Sequence, residues 1–194
     1  MADTSKYGFK FKKSLYPGLS NPAIIEVILA NSAGPLTIGD AVAYSSGYLN
    51  GAAADVAILG ILVGLVTKNG ENIFKTKESI GGTKSGDDTF TAASTNSTVA
   101  QVKGVVVVDP MALFFGYANG TITAAMVGQW FNGAVTDGTY VDSVEYSTAQ
   151  GAYSAGTQQF QLIERVTTLD DGSASTTAGL FRIGRSVLLN DPTA

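Results

Sequence analysis

Short runs of β-branched and aromatic residues recur along the chain, and each run ends in a turn rich in small polar residues, Gly or Pro. The clearest runs cover residues 23–30, 58–66 and 102–108. Their length and their Val and Ile content favour strands over helices. The sequence contains no long amphipathic helical pattern, which argues against βαβ architectures. The pattern therefore predicts an all-β fold, a barrel or a sandwich of short antiparallel strands with long loops.

The last third of the sequence repeats this pattern at short intervals. Strand candidates at residues 139–146, 158–168 and 180–188 are separated by turns that contain Gly, Asp or both. A further turn is predicted near Asn132 and Gly133, because Asn-Gly is a common turn dipeptide.

The N-terminal segment alternates aromatic and basic residues before a Pro-Gly turn at residues 17–18. In an extended chain, the aromatic side chains fall on one side and most of the lysines fall on the other side or at the edge. One interpretation is an edge strand whose lysines prevent aggregation. The other is an extended arm, residues 1–20, that lies across a neighbouring subunit and contacts it through Lys6, Tyr7, Phe9, Lys10, Phe11, Lys12 and Lys13.

Residues 75–101 differ from the rest of the chain, because Gly, Ser, Thr and Asp dominate and hydrophobic periodicity is faint. Such side chains compete with regular backbone pairing, so this segment is predicted to be a long surface excursion. The β-rich body predicted over residues 21–194 is then either one unit or two lobes.

Composition excludes several kinds of chemistry. The 194 residues include no Cys and no His, so neither a Ser-His-Asp triad nor a Cys/His zinc site can be built from this chain. We expect no catalytic residues, no metal site and no cofactor. A carbohydrate-active enzyme that uses carboxylates alone is an alternative, but no pair among the 16 acidic residues stands out.

Partial motifs do not change this view. Residues 81–86 contain the residue types of a phosphate-binding loop, but Thr83 interrupts the Gly-Lys-Ser order that such a loop needs. The acidic pairs at residues 87–88 and 170–171 lie beside glycine in predicted turns and lack the spacing of a calcium loop.

Charge and hydropathy bear on partners and location. The chain has 12 basic and 16 acidic residues, and this excess of acid argues against nucleic-acid binding. Only 14% of residues are charged, so Ser, Thr, Asn, Gln and Gly must make much of the surface polar, as is common where one protein packs flush against another.

The apolar run at residues 56–66 is shorter than the roughly 20 residues of a membrane span, so no membrane association is expected. The first residues lack the apolar core of a secretory signal, and we expect folding in a cytoplasm.

Two stretches carry a resemblance to phage virion proteins. Residues 37–42 (TIGDAV), 47–49 (GYL) and 60–66 (GILVGLV) together resemble the opening of capsid cement or decoration proteins of tailed bacteriophages. The later stretch is similar to C-terminal regions of virion proteins encoded near the major capsid protein, through residues 126–131 (MVGQWF), 159–166 (QFQLIERV) and 179–184 (GLFRIG). The motifs themselves cover 36 of the 194 residues, and their specificity lies in their order.

The resemblance implies a β-barrel or β-tulip body on the exterior of the virion capsid. Proteins of this family often form homotrimers at local three-fold positions and clamp neighbouring major capsid subunits against internal DNA pressure. They have no catalytic residues to carry over. In some members an N-terminal arm adds a strand to the capsid protein, which implies that role for Lys6 through Lys13. A tail, baseplate or fibre component, or a host-surface adhesin, is the alternative, since extended polar loops and repeated short strands suit it equally well. The excursion at residues 75–101 departs from the family pattern and leaves a second lobe or a host-facing loop open.

Overall fold

The computed structural model describes residues 8–15, 21–54, 56–73, 90–135, 140–146, 158–166 and 176–184. The described ranges contain eleven strands and two short helical turns, at Asn96–Ala100 and Ala124–Met126. The strands are β1 (Lys10–Ser14), β2 (Ile24–Ile28), β3 (Ala41–Ser45), β4 (Tyr48–Gly51), β5 (Gly60–Val66), β6 (Lys103–Val107), β7 (Ala112–Ile122), β8 (Trp130–Ala134), β9 (Ser143–Glu145), β10 (Gln158–Arg165) and β11 (Thr176–Ile183). The predicted all-β class is confirmed.

Five strands close into a barrel in the order β7-β11-β10-β8-β9. A parallel pairing between Ala118 of β7 and Val144 of β9 completes the ring. Strand β1 pairs antiparallel with the first part of β7, from Lys10 opposite Phe115 to Ser14 opposite Ala112. The N-terminal strand is therefore an edge strand attached to the barrel, while the barrel strands pair with one another around the ring.

The other five strands form a second, antiparallel sheet in the order β2-β6-β5-β3-β4. This sheet curls, because Leu29, just after β2, makes a parallel bridge with Leu49 of β4. The Ala30 N–H donates to the Leu49 carbonyl oxygen at 2.8 Å. The curl surrounds an aliphatic core that includes Leu36, Val42, Leu62, Leu65 and Val106.

The barrel interior is aromatic by contrast. Four fully buried phenylalanines from four different barrel strands fill it: Phe114, Phe131, Phe160 and Phe181. Residues of the second sheet, among them Ala41, Ile61 and Val107, belong to the same buried cluster. One face of the curled sheet therefore packs against the barrel, and burial of these two apolar faces is the main stabilising term of the fold.

The predicted turn near Asn132 and Gly133 is wrong, because β8 runs straight through both residues. Gly133 serves packing there. A Cβ at this position would collide with Oε1 of Gln159 and would lie 2.7 Å from Cγ1 of Val141. The Gly133 N–H donates to that same Gln159 oxygen at 2.9 Å. The glycine thus allows a buried side-chain amide to approach the strand, which local sequence could not reveal.

The end of the predicted excursion packs on the second sheet. Phe90 and Leu36 exchange two backbone hydrogen bonds, at 2.7 and 2.8 Å. Asn96 is fully buried, and its side-chain nitrogen donates to the Leu29 and Val102 carbonyl oxygens at 2.7 and 3.1 Å. Its side-chain oxygen accepts from the Val102 N–H at 3.0 Å. Residues 74–89 lie outside the described residues.

Candidate interaction surface

The residues that lead into β1 are hydrogen-bonded to both sheets. The Gly8 N–H donates to the carbonyl oxygen of Asp142, just before β9, at 2.8 Å. The Phe9 N–H donates to the carbonyl oxygen of Gly39, just before β3, also at 2.8 Å. Phe9 is 2% exposed and stacks on Phe160 inside the barrel, with ring centroids 4.7 Å apart and planes 16° apart. This aromatic residue is therefore part of the chain's own core.

A β-bulge then determines which side chains of β1 face outward. The pairing with β7 shifts between Phe11 and Lys13, so Lys12 is an extra residue in the strand. Phe11 is half-buried against Phe114, with centroids 6.3 Å apart. The bulge interrupts the expected alternation, and Lys12 and Lys13 are both exposed, as is Lys10.

Two of the exposed lysines, Lys12 and Lys13, make weak contacts with the rest of the chain. The Lys12 ammonium lies 5.6 Å from the centre of the Phe115 ring. Lys13 Nζ lies 3.6 Å from a carboxylate oxygen of Glu164, with both side chains more than half exposed. Exposed ion pairs of this kind contribute about 0–1 kcal/mol, because water screens them. An acidic group on a partner could therefore displace Glu164 at little cost.

The structure brings together part of the predicted contact set. Lys10, Lys12 and Lys13 form an outward-facing basic edge on β1, which we call the β1 lysine edge. Phe9 and Phe11 face inward. Lys6 and Tyr7, with the rest of the predicted arm at residues 1–5 and 16–20, lie outside the described residues. Within residues 8–15 the chain is thus a strand of the fold, and contact with a partner stays a prediction for the lysines.

A second exposed surface was missed by the sequence analysis. Ile24 is 51% exposed on β2, and Ile25 and Tyr44 are exposed close by. The run at residues 23–30 was predicted to be a strand, but nothing in its composition distinguished a covered strand from an open one. The one available signal was Glu26 in its centre, a residue type that rarely lies in a fully covered strand.

Two buried carboxylates hold turns in place. Asp109 accepts from the Met111 N–H at 2.8 Å and from the Ser14 hydroxyl at 3.1 Å, which links the β6–β7 turn to β1. Asp40 accepts from the Thr37 N–H at 2.7 Å. These hydrogen bonds give both aspartates a structural role.

Other sequence candidates can be placed only in part. Residues 81–88 and the acidic pair at residues 170–171 lie outside the described residues. Among the residues that the structure does describe, no three acidic, His or Cys side chains lie close enough to hold a metal ion. The described part of the chain also has no helix long and apolar enough to cross a membrane.

Comparison with known family models, curated proteins and solved structures finds no match for this chain.

Proposed function

We propose that this protein is a virion structural protein that binds the outer surface of a phage capsid and stabilises its lattice by clamping neighbouring major capsid subunits. The proposal gives the chain no catalytic role. It is supported by the order of the virion-like motifs and by an all-β body attached to a basic edge strand. The observation that carries it is the β1 lysine edge, three exposed lysines along one strand of a chain with a net charge of −4.

The lysine edge suits an acidic partner surface. Opposite charges at the rim of an interface raise the association rate and select the partner, while the close contacts supply most of the affinity. A homotrimer would present three such edges to three capsid subunits at once. Multivalent attachment converts weak single contacts into durable binding, because each further contact forms at high effective concentration.

The experiment is a co-sedimentation assay with expanded capsids. A triple variant, Lys10→Ser with Lys12→Ser and Lys13→Ser, removes the charge and leaves the buried side chains of β1 unchanged. We expect the triple variant to lose about tenfold in affinity, since three exposed charge contacts of about 0.5 kcal/mol each sum to about 1.5 kcal/mol. Deleting the N-terminal residues would be a poorer test, because it would also remove Phe9 from the core.

Lys68→Ser is the control, since Lys68 is exposed in the turn after β5 and has the same charge. Binding should persist in this variant. If the triple variant binds capsids as tightly as the unaltered protein, the role assigned to the lysine edge is wrong. If the unaltered protein does not bind capsids, the proposed function is wrong.

A further inference from the structure

One side of the β2 backbone is open. The Val108 N–H donates to the Ala23 carbonyl oxygen and the Leu29 N–H donates to the Val102 carbonyl oxygen, both at 2.9 Å. Between these two bonds the β2–β6 register is unbroken, so the backbone groups of the odd-numbered residues of β2 hydrogen bond to β6. The N–H and C=O groups of Ile24, Glu26 and Ile28 therefore point away from the sheet. Within the described residues, the N–H and C=O groups of Ile24 and Glu26 have no hydrogen-bond partner, whereas the bridge between Leu29 and Leu49 brings the Leu49 N–H to the Ile28 carbonyl oxygen.

Strand β4 lies alongside β2 only at the C-terminal end of β2. The bridge between Leu29 and Leu49 marks where β4 first pairs alongside β2. Residues 24–27 precede the stretch that bonds to β4 and are left uncovered. At about 3.3 Å per residue, this open edge is about 13 Å long, enough for one short strand.

An apolar groove of about 510 Å³ runs beside the open edge. Its walls include Ile25 and Val27 from β2 and Tyr44 from β3, and Leu59 also lines it. Tyr44 is 47% exposed, whereas Leu59 is buried. A cluster of exposed, large apolar side chains beside unpaired backbone N–H and C=O groups is typical of a site where a partner adds a strand.

We propose that the open edge of β2 binds an extended segment of a partner protein in which apolar and basic residues alternate. Side chains of the added strand on the groove side would pack against Ile25, Val27 and Tyr44, which requires apolar residues. Side chains on the other side would lie beside Glu26, whose carboxylate is half exposed and has one surface ion pair, at 3.1 Å from Lys103 Nζ. A lysine or arginine opposite Glu26 would add a cross-strand pair of opposite charge.

A second copy of this chain fits the edge less well than such a segment. Two β2 strands paired antiparallel about a two-fold axis in full register would place Glu26 directly opposite Glu26. Like charges opposite each other destabilise a sheet. A two-fold pairing centred on Ile25 instead of Glu26 would place Ile28 opposite Pro22, which has no N–H to donate.

The inference rests on the proposed function for the identity of the partner, which would be a segment of the major capsid protein. Strand addition at β2 itself is independent of that identity. It can therefore be tested with a defined peptide before any capsid is used.

The probe is a capped seven-residue peptide of sequence TVKVKVT, titrated into the full-length protein while backbone amide signals are followed by NMR. Two further peptides carry N-methyl groups, one on the odd-numbered amides and one on the even-numbered amides. An added strand bonds to β2 through only one set of its amides, so we expect one methylated peptide to lose binding and the other to keep it. Saturable shifts should concentrate at residues 24–28 and Tyr44.

Glu26→Lys should weaken binding of the unmethylated peptide by about tenfold, because attraction at one cross-strand position becomes repulsion. Glu145→Lys is the matched control, since it makes the same charge change at an exposed position of β9, in the other sheet. The affinity of the Glu145→Lys variant for the unmethylated peptide should stay within about twofold of that of the unaltered protein.

Several outcomes would overturn the inference: no saturable binding, equal binding of both methylated peptides, equal loss in both Glu→Lys variants, or self-association of the protein through β2. The capsid assay then separates the two proposals. If the unaltered protein and Glu26→Lys bind capsids equally well, the function stands and β2 is not the contact. If peptide binding behaves as expected but the unaltered protein does not bind capsids, strand addition stands and the capsid function is wrong.

Discussion

The ring of Phe9 lies directly against the backbone of Gly116: a Cβ on this glycine would be 2.8 Å from two ring atoms of the phenylalanine. Gly116 is in the middle of β7, where a larger residue would push the ring out of the barrel. The close approach fixes where β1 begins. It means that the basic strand is held by the chain's own core before any partner binds.

Replacing Phe9 with alanine should therefore destabilise the whole protein. The ring is almost fully buried and stacked on Phe160, so its loss removes apolar burial and leaves a cavity. We expect the free energy of unfolding, measured by urea titration, to fall by about 3–5 kcal/mol. The half-buried Phe11 is the control, and Phe11→Ala should cost less. If Phe11→Ala proved the more damaging change, Phe9 would not anchor the strand.

Gly104→Ala should destabilise the second sheet by overpacking. A Cβ on Gly104 would collide with the Leu49 side chain and lie 2.9 Å from Cδ1 of Leu62. Thermal unfolding should show a loss of about 1–3 kcal/mol. The matched change is Gly64→Ala on the neighbouring strand, where the nearest atoms, on Val105, are 3.5 Å away. That substitution should be neutral within about 1 kcal/mol, and equal losses at both glycines would contradict the packing described for the curled sheet.

Asn96→Ala should reduce stability through its hydrogen bonds. The substitution removes a donor from the buried Leu29 carbonyl oxygen and leaves the half-buried Val102 N–H without its acceptor. An unsatisfied buried polar group costs about 1–3 kcal/mol, and urea titration should show a loss in that range. The exposed Asn31, which accepts from the Ser97 N–H at 2.8 Å, provides the comparison. Asn31→Ala should lose less than about 1 kcal/mol; a larger loss there than at Asn96 would refute this assignment.

Capsid binding should weaken as salt is added, if the β1 lysine edge steers the protein to an acidic surface. The Debye length shortens from about 10 Å at 0.1 M salt to about 3 Å at 1 M, so rim charges lose most of their effect. The association rate, measured with immobilised capsids, should fall over this range for the unaltered protein. The triple lysine variant should show a much flatter dependence. Parallel salt curves for the two proteins would mean that other charges steer the encounter.

The fold class could be predicted because strand patterning is local. The predicted runs at residues 58–66 and 102–108 correspond closely to β5 and β6, since Val, Ile and Leu are buried on both faces of these central strands. The path of β8 could not be predicted, because the reason for a glycine at position 133 is the close approach of the Gln159 side chain, which is distant in sequence. Local signals marked a turn where a long-range contact required a strand.

The candidate surface was predictable only in its charge. The lysines of the N-terminal segment were visible in the sequence, and three of them are exposed. That Phe9 is buried depends on the distant residues Gly116 and Phe160, and the position of the bulge depends on the pairing with β7. The exposure of Ile24 follows from β2 being an edge strand, which is a property of sheet order.

Electron microscopy of phage particles saturated with the protein would show where on the virion it binds. The proposed function predicts added density distributed over the whole capsid lattice, at positions that contact more than one major capsid subunit. Particles incubated with the triple lysine variant at the same concentration should have much less of this density. Density confined to the tail, baseplate or fibres, or no added density on the capsid, would mean that the protein does not reinforce the capsid lattice.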